Sequence, residues 1–242
     1  MKLSRHGDYL AQLTRWPLLF PVNVYLMREA DGLTLIDTGV GGCAPEILRA
    51  ADALGAPIVR IALTHGHGDH VGSLDALAAA LPGAEVLMSP RTARLLSGDR
   101  TPDPADGGGE LRGSWQTLAT RPTRLLAPGD LVGSLEVLAA PGHSPDHVAF
   151  LDRRDRALIA GDAFQTRGGI AVSGTLRPLF PFPAMATWDK GAALASARAL
   201  RATEPTHLAV GHGPVLDDPG AAMDQAIAVT ARGLEGTLHH AG

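Results

Sequence analysis

Apolar residues fall into short, regularly interrupted runs along the chain. VNVYLM, running to Met27, and LTLI, from Leu33 to Ile36, flank the turn residues Ala30, Asp31 and Gly32, which predicts a β-hairpin. Pro45 stands at a first helical position, and Ile47, Leu48, Ala51 and Leu54 recur at helical spacing up to Gly55, so a helix is predicted over Pro45 to Leu54. Ile58 to Leu63 is a β-branched strand run, and the Ala/Leu-rich segment Val71 to Ala80 reads as a helix stopped by Leu81-Pro82-Gly83. A strand at Glu85 to Met88 and a helix at Arg91 to Leu96 follow. The stretch Gly98 to Ser114 has no apolar period and reads as a long loop, a candidate lid.

Past Arg124 the pattern turns to strands: TRLL, Leu135 to Ala140, Val148 to Leu151 and Ala157 to Ala160, separated by turn residues at Pro128-Gly129-Asp130 and Asp152 to Asp155. A helix from Asp189 to Ala202 with Thr187 as N-cap, a strand at His207 to Val210 and a last helix from Pro219 to Leu234 complete the chain. Each half runs strands, helix, strand, which suits two sheets covered by helices. No segment has the composition of a linker, so one domain over 1–242 is expected.

Composition narrows the chemistry. Among 242 residues, 45% are hydrophobic and 19% charged, which excludes a disordered polyelectrolyte. Cys43 is the only cysteine, so no intrachain disulfide forms and zinc sites built on several thiolates are excluded; any metal must use His and carboxylate. A net charge of -4 gives no global attraction to phosphate backbones, and no nucleic-acid partner is expected. The first sixteen residues lack the apolar core of a signal peptide, and no run approaches the roughly 18 apolar residues that span a bilayer, so a soluble cytoplasmic protein without a membrane partner is expected, as monomer or homodimer.

The main signal is Thr64-His65-Gly66-His67-Gly68-Asp69-His70, directly after a buried strand. In extended backbone, residues two apart point the same way, so His65 and His67 reach one ion while Asp69 and His70 turn toward a second. Gly66 and Gly68 relieve crowding between the ligand side chains and free the backbone there. Two metal sites need further ligands, and three residues share a placement just after a strand and beside glycine: His143, Asp162 and His212.

This pattern resembles the metallo-β-lactamase-fold superfamily, whose signature is HxHxDH followed by a distant His, an Asp and a final His. The resemblance runs from Leu35-Ile36-Asp37-Thr38-Gly39 to Gly211-His212-Gly213. It implies an α/β (α+β) fold, a four-layer αββα sandwich with the metals at its edge. Carried over by motif, His65, His67 and His143 bind the first metal, Asp69, His70 and His212 the second, and Asp162 bridges them. The cofactors implied are two divalent metal ions, Zn2+ first, with Fe or Mn as alternatives.

Departures from the subfamilies narrow the reaction. True β-lactamases carry Cys or Ser where Asp162 stands, and flavodiiron oxidoreductases carry Glu at the position of His67. Glyoxalase II-like thioesterases share the ligand set but add a C-terminal helical part with basic residues for glutathione, whereas thirty residues follow His212. Acyl-homoserine lactonases carry a Tyr three residues after the bridging Asp, where this chain has Gln165. What is implied is a small metal-dependent hydrolase of an acyl ester, lactone or thioester, using hydroxide formed between two cations, with Asp69 shuttling the proton. The alternatives are a single-iron enzyme on His65, His143 and Asp162, resembling persulfide dioxygenases, and a member that binds a ligand without catalysis.

Lesser residues keep two readings each. Asp37 anchors a ligand from behind or caps a turn, and His147 does the same or fills the core. His6, His207, His239 and His240 read as structural or solvated. Trp16 to Phe20 and Leu176 to Trp188, with Phe164 and Ile170, either line a pocket for an apolar substrate portion, with Arg177 at a polar end, or fill the core.

Overall fold

A computed structural model describes residues 1–106 and 110–240, with the side chains at 105 and 237–240 left aside. The middle of the Gly98 to Ser114 stretch and the imidazoles of His239 and His240 therefore lie outside the described residues. The first sheet runs in chain order: β1 (Lys2–His6), β2 (Leu10–Arg15), β3 (Val22–Arg28) and β4 (Leu33–Ile36) pair antiparallel, then β5 (Ile58–Ala62), β6 (Glu85–Met88) and β7 (Arg124–Leu125) add in parallel. Helices α1 (Ala44–Leu54), α2 (Gly68–Val71), α3 (Leu74–Ala80) and α4 (Pro90–Leu96) interleave with it. The second sheet contains β8 (Leu131–Val132), β9 (Leu135–Ala139), β10 (Val148–Asp152) and β11 (Ala157–Ile159). After the ribbon β12 (Phe164–Gln165) with β13 (Ala171–Val172), and helices α5 (Phe182–Met185) and α6 (Lys190–Ala202), that sheet gains β14 (His207–Ala209) and β15 (Leu216–Asp217). The chain closes on α7 (Gly220–His240).

The period-2 alternation of the strands sorts their side chains into three cores. On β3, Val24 and Leu26 pack outward with Ile47, Ala51, Leu74 and Leu77 of α1 and α3. Tyr25 and Met27 face inward, joining Phe150, Ile159 and Ala209 of the second sheet. On β10 the inward Phe150 alternates with Ala149 and Leu151, which pack with Ala197 and Leu200 of α6 and Met223 of α7. Helix, sheet, sheet, helix is the four-layer sandwich expected.

Several expectations need correction. The hairpin of β1 and β2 was invisible to apolar pattern, because β1 is an exposed edge strand and β2 turns a polar Gln12 into the core. The helix read over Val71 to Ala80 breaks at Gly72-Ser73, where the Gly72 N–H bonds the Gly39 carbonyl at 2.8 Å and a Cβ would lie 2.5 Å from the Gly41 amide nitrogen. Asp189, not Thr187, caps α6, its carboxylate accepting from Ala192 N–H at 2.8 Å. The last helix extends past Leu234 to His240. Among the described residues no helix is long and apolar enough to cross a membrane.

Candidate metal centre

The strand ends supply the site. After β5, Thr64 leads to His65, and His67 is still extended (φ -69°, ψ 147°) where α2 begins, so Asp69 and His70 sit on a helical turn. His143 follows β9, Asp162 lies on the single 3-10 turn after β11, and His212 follows β14. All seven residues predicted from sequence come together at this one edge. Three sets have ligand atoms within 4.8 Å of one another: His65, His67 and His143; His65, His70 and Asp162; Asp69, His70 and His212. The Asp162 carboxylate stands between them, 3.3 Å from His143 Nε2, 3.2 Å from His212 Nε2 and 3.4 Å from His70 Nε2. The triple His65, His143 and Asp162, on which a single-iron site rests, is not one of these sets.

The hydrogen bonds behind the imidazoles fix which nitrogen faces inward. Thr64 donates its hydroxyl proton to Asp37 (2.8 Å), so it accepts from His65 Nδ1–H at 3.0 Å, and His65 Nε2 faces inward as a lone pair. His67 Nε2–H donates to the Arg112 carbonyl at 2.9 Å, leaving Nδ1 inward. Thr187 donates to the Pro183 carbonyl and Ser173 to Thr187, so His143 Nδ1–H donates to Ser173 at 2.9 Å and its Nε2 faces inward. His65 Nε2 and His143 Nε2 then lie 3.1 and 3.0 Å from His67 Nδ1, three lone pairs directed into one point. Tetrahedral nitrogen ligands about 2.1 Å from a common ion lie about 3.4 Å apart. At the second set, His70 Nδ1–H donates to Asp37 at 2.7 Å and His212 Nδ1–H to the Pro21 carbonyl at 2.7 Å. His70 Nε2 and Asp162 Oδ1 are buried 3.4 Å apart and have no other hydrogen-bond partner. The residues therefore fit a pair of cations with nitrogen and oxygen ligands.

Electrostatics divide the two sets. Burial, reinforced by the neighbouring imidazoles, holds His65 well below the usual histidine range; burial also lowers His143 and His67, against the pull of nearby carboxylates. Burial opposes charge on His70 and His212 too, yet the carboxylates of Asp162 and its neighbours prevail and raise both, His212 to about 10. Burial would raise Asp69 and Asp162, but the imidazoles beside them hold both carboxylates below the ordinary range. Loading a cation at the second set therefore displaces protons.

Asp37 anchors from behind, as one of its two readings had it. It holds φ at +61°, in the left-handed region, while its carboxylate accepts from Thr64 N–H, Thr64 O–H and His70 Nδ1–H. His147 also supports the site: Nε2 accepts the Asp162 N–H at 3.0 Å, its ring lies 4.8 Å from that of His65, and burial lowers it to about 3, leaving it neutral. Sequence reasoning missed Asp146, whose Oδ2 accepts Gly66 N–H at 2.8 Å and Thr92 O–H at 2.7 Å, tying the His65–His67 loop to α4 and to the His143 loop. It missed Asn23 as well, which donates to the carbonyls of Val210 and Gly213 on either side of His212 at 2.8 and 2.7 Å. A polar residue between two histidines, and one inside an apolar strand, were the available signals. The role given to Gly66 and Gly68 changes: a Cβ there would meet Trp115 at 2.9 Å and Gln116 at 2.6 Å, so the loop, not the ligands, demands glycine.

A cavity of about 390 Å³ opens over the site. Its floor is His67, Asp69, His143, Asp162 and His212, and its walls include Phe20, Ser114, Phe182, Pro183 and Met185. The Leu176 to Trp188 segment thus does both things proposed for it: Phe182, Pro183, Met185 and Ala186 line the cavity, while Phe180 is 1% exposed and belongs to the interior. Arg177 is not at a polar end of the cavity; its guanidinium bonds the Ile170 carbonyl.

A family model described as the metallo-beta-lactamase superfamily matches residues 18–212. Uncharacterized protein YobT of Bacillus subtilis (strain 168) is 48% identical over 223 residues, covering 92% of this chain and 96% of that protein. Probable metallo-hydrolase YybB of the same organism is 29% identical over 150 residues, covering 62% and 65%. Among solved structures, TTHA1623 in a di-iron-bound form superposes with a TM-score of 0.65 at 29% identity, over 87% of this chain and 96% of that one.

Proposed function

Since the chain belongs to the metallo-beta-lactamase superfamily, we propose that it is a hydrolase that holds two divalent cations, zinc first among the candidates, and cleaves an ester, lactone or thioester. The observation that carries this reading is the convergence of three imidazole lone pairs, those of His65 Nε2 and His143 Nε2 within 3.1 Å of that of His67 Nδ1, each forced inward by a hydrogen bond behind it. Without a cation they repel. His70 Nε2 and Asp162 Oδ1, buried 3.4 Å apart with no other hydrogen-bond partner, support a second cation next to the first. A relative described as a probable metallo-hydrolase and a structural neighbour with two irons support the reaction class and the metal count, and leave iron as an alternative to zinc.

When bound, such a pair supplies Lewis acidity and a water that ionises near neutral pH. The chain does the rest. Asp69 is the only half-buried member of the seven and lines the cavity, which suits it to take a proton from the attacking water and pass it to the leaving atom. Asp69 Oδ2 lies 3.3 Å from His212 Nε2, close enough for both to hold the same cation. Phe20 and Phe182 wall the cavity and restrict water around the reacting carbonyl.

The test is turnover of nitrophenyl acetate, a simple lactone and an acetyl thioester by protein as purified, chelated and reloaded. Hydrolysis that disappears on chelation and returns with zinc is expected. Absence of turnover in every metal form would overturn the proposal, and oxygen uptake with a thiol and one iron per chain would favour the oxygenase instead.

A further inference from the structure

Building on the hydrolase reading, we infer that the substrate is uncharged near the reacting carbonyl and carries an extended alkyl chain, bound by the two loop segments 16–20 and 176–185 beside the cavity. Ten large hydrophobic side chains are exposed among the described residues, and seven of them fall in these two segments. Leu19 is 85% exposed, Leu179 83% and Leu18 79%. Isolated exposed hydrophobics need no explanation, but their concentration in the two segments that also wall the cavity does; Leu176 alone among the seven faces a separate cleft against α7.

The two segments form one surface. The Phe20 ring packs 5.1 Å from those of Phe180 and Phe182, and Arg167, on the loop after Asp162, bonds the Leu18 carbonyl. Phe20, Phe182 and Met185 line the cavity, so both segments contribute to its apolar wall. Among the described residues no Lys or Arg lines the cavity, and the guanidiniums of Arg167 and Arg177 are turned onto backbone carbonyls. A second copy of the chain would also cover apolar surface, but a stable interface uses about 20–30 residues a side, far more than this rim supplies.

The test uses acyl thioesters of N-acetylcysteamine, an uncharged thiol, from acetyl to decanoyl at concentrations below aggregation. Specificity, as kcat/KM, is expected to rise about two- to fourfold per methylene. The double variant Leu19→Ser, Leu179→Ser should flatten that slope while keeping the metal content and melting temperature of the parent. The glutathione thioester of the same acyl group should react at least about tenfold less efficiently than its uncharged counterpart. In parallel, decyl methyl ketone should bind more tightly than butyl methyl ketone by calorimetry, and the double variant should lose the difference. A flat chain-length profile, preference for the glutathione thioester, or a dimer that the double variant dissociates would overturn the inference. If no thioester turns over, only the thioester form of the hydrolase reading fails, and the calorimetric comparison still decides the alkyl site.

Discussion

At the scale of single residues, the centre depends as much on groups behind the ligands as on the ligands. Asp146 accepts one amide proton from between His65 and His67 and one hydroxyl proton from α4. Asp146→Ala is expected to weaken the first metal about 10- to 100-fold, while Asp146→Asn, which keeps an acceptor, retains most of the affinity. Competition with a chromophoric chelator reads both, and equal behaviour of the two variants would remove this role. Gly211 gives a sharper case: a Cβ there would lie 2.0 Å from Asp162 Oδ1. Gly211→Ala should therefore displace the Asp162 carboxylate and reduce bound metal even where the fold survives by circular dichroism; an unchanged metal content would contradict the tight approach. Such residues were poorly legible in the sequence. The ligands announce themselves by residue type and spacing, whereas Asp146, Asn23 and Ser173 have ordinary chemistry and acquire meaning only from what folding places opposite them.

At the scale of elements, the periodic patterns located the strands and helices that frame the centre, because those elements bury one face or both. Pattern failed where burial is partial or polar. The strand β1 is mostly exposed, and β2 buries Gln12, whose amide donates to the Gly213 carbonyl at 3.0 Å next to His212. The two-residue strands β12, β13 and β15 are too short to carry a period. The connection after α4 is held by Asp75 in the first turn of α3, which accepts Ala119 N–H at 3.0 Å and Thr120 N–H at 2.8 Å. Burial would raise this carboxyl, but the bonds from Thr120 and Ala119 hold it below the ordinary range. A lowered folded value means that the stabilisation is complete above about pH 4 and is lost as the pH falls through the folded value. Asp75→Ala should cost about 1 kcal/mol at neutral pH, less in acid, as read by urea denaturation at the two pH values. A cost independent of pH would mean that the carboxylate is not what matters.

At the scale of the whole molecule, the four layers bring the ends of β5, β9, β11 and β14 to one edge, and that convergence explains how residues from 65 to 212 share one site. The sandwich also buries Cys43, 0% exposed at the start of α1. Burial pushes its thiol up, so a disulfide reagent at about pH 8 should label the native protein slowly and the unfolded protein at once; fast native labelling would show that this layer opens. The architecture and the meeting of the seven candidate ligands at one edge were legible because the resemblance spans both sheets. The division of the Leu176 to Trp188 segment between cavity wall and interior was not, since aromatic residues serve either place and only the ring contacts among Phe20, Phe180 and Phe182 decide.

The central claim is that seven side chains hold a pair of divalent cations, and elemental analysis of the protein after zinc loading and desalting tests it most directly. The account predicts about two zinc ions per chain, falling when Asp162 is replaced by Ala. A folded chain that retains no metal, or one whose stoichiometry is unmoved by loss of Asp162, would contradict it.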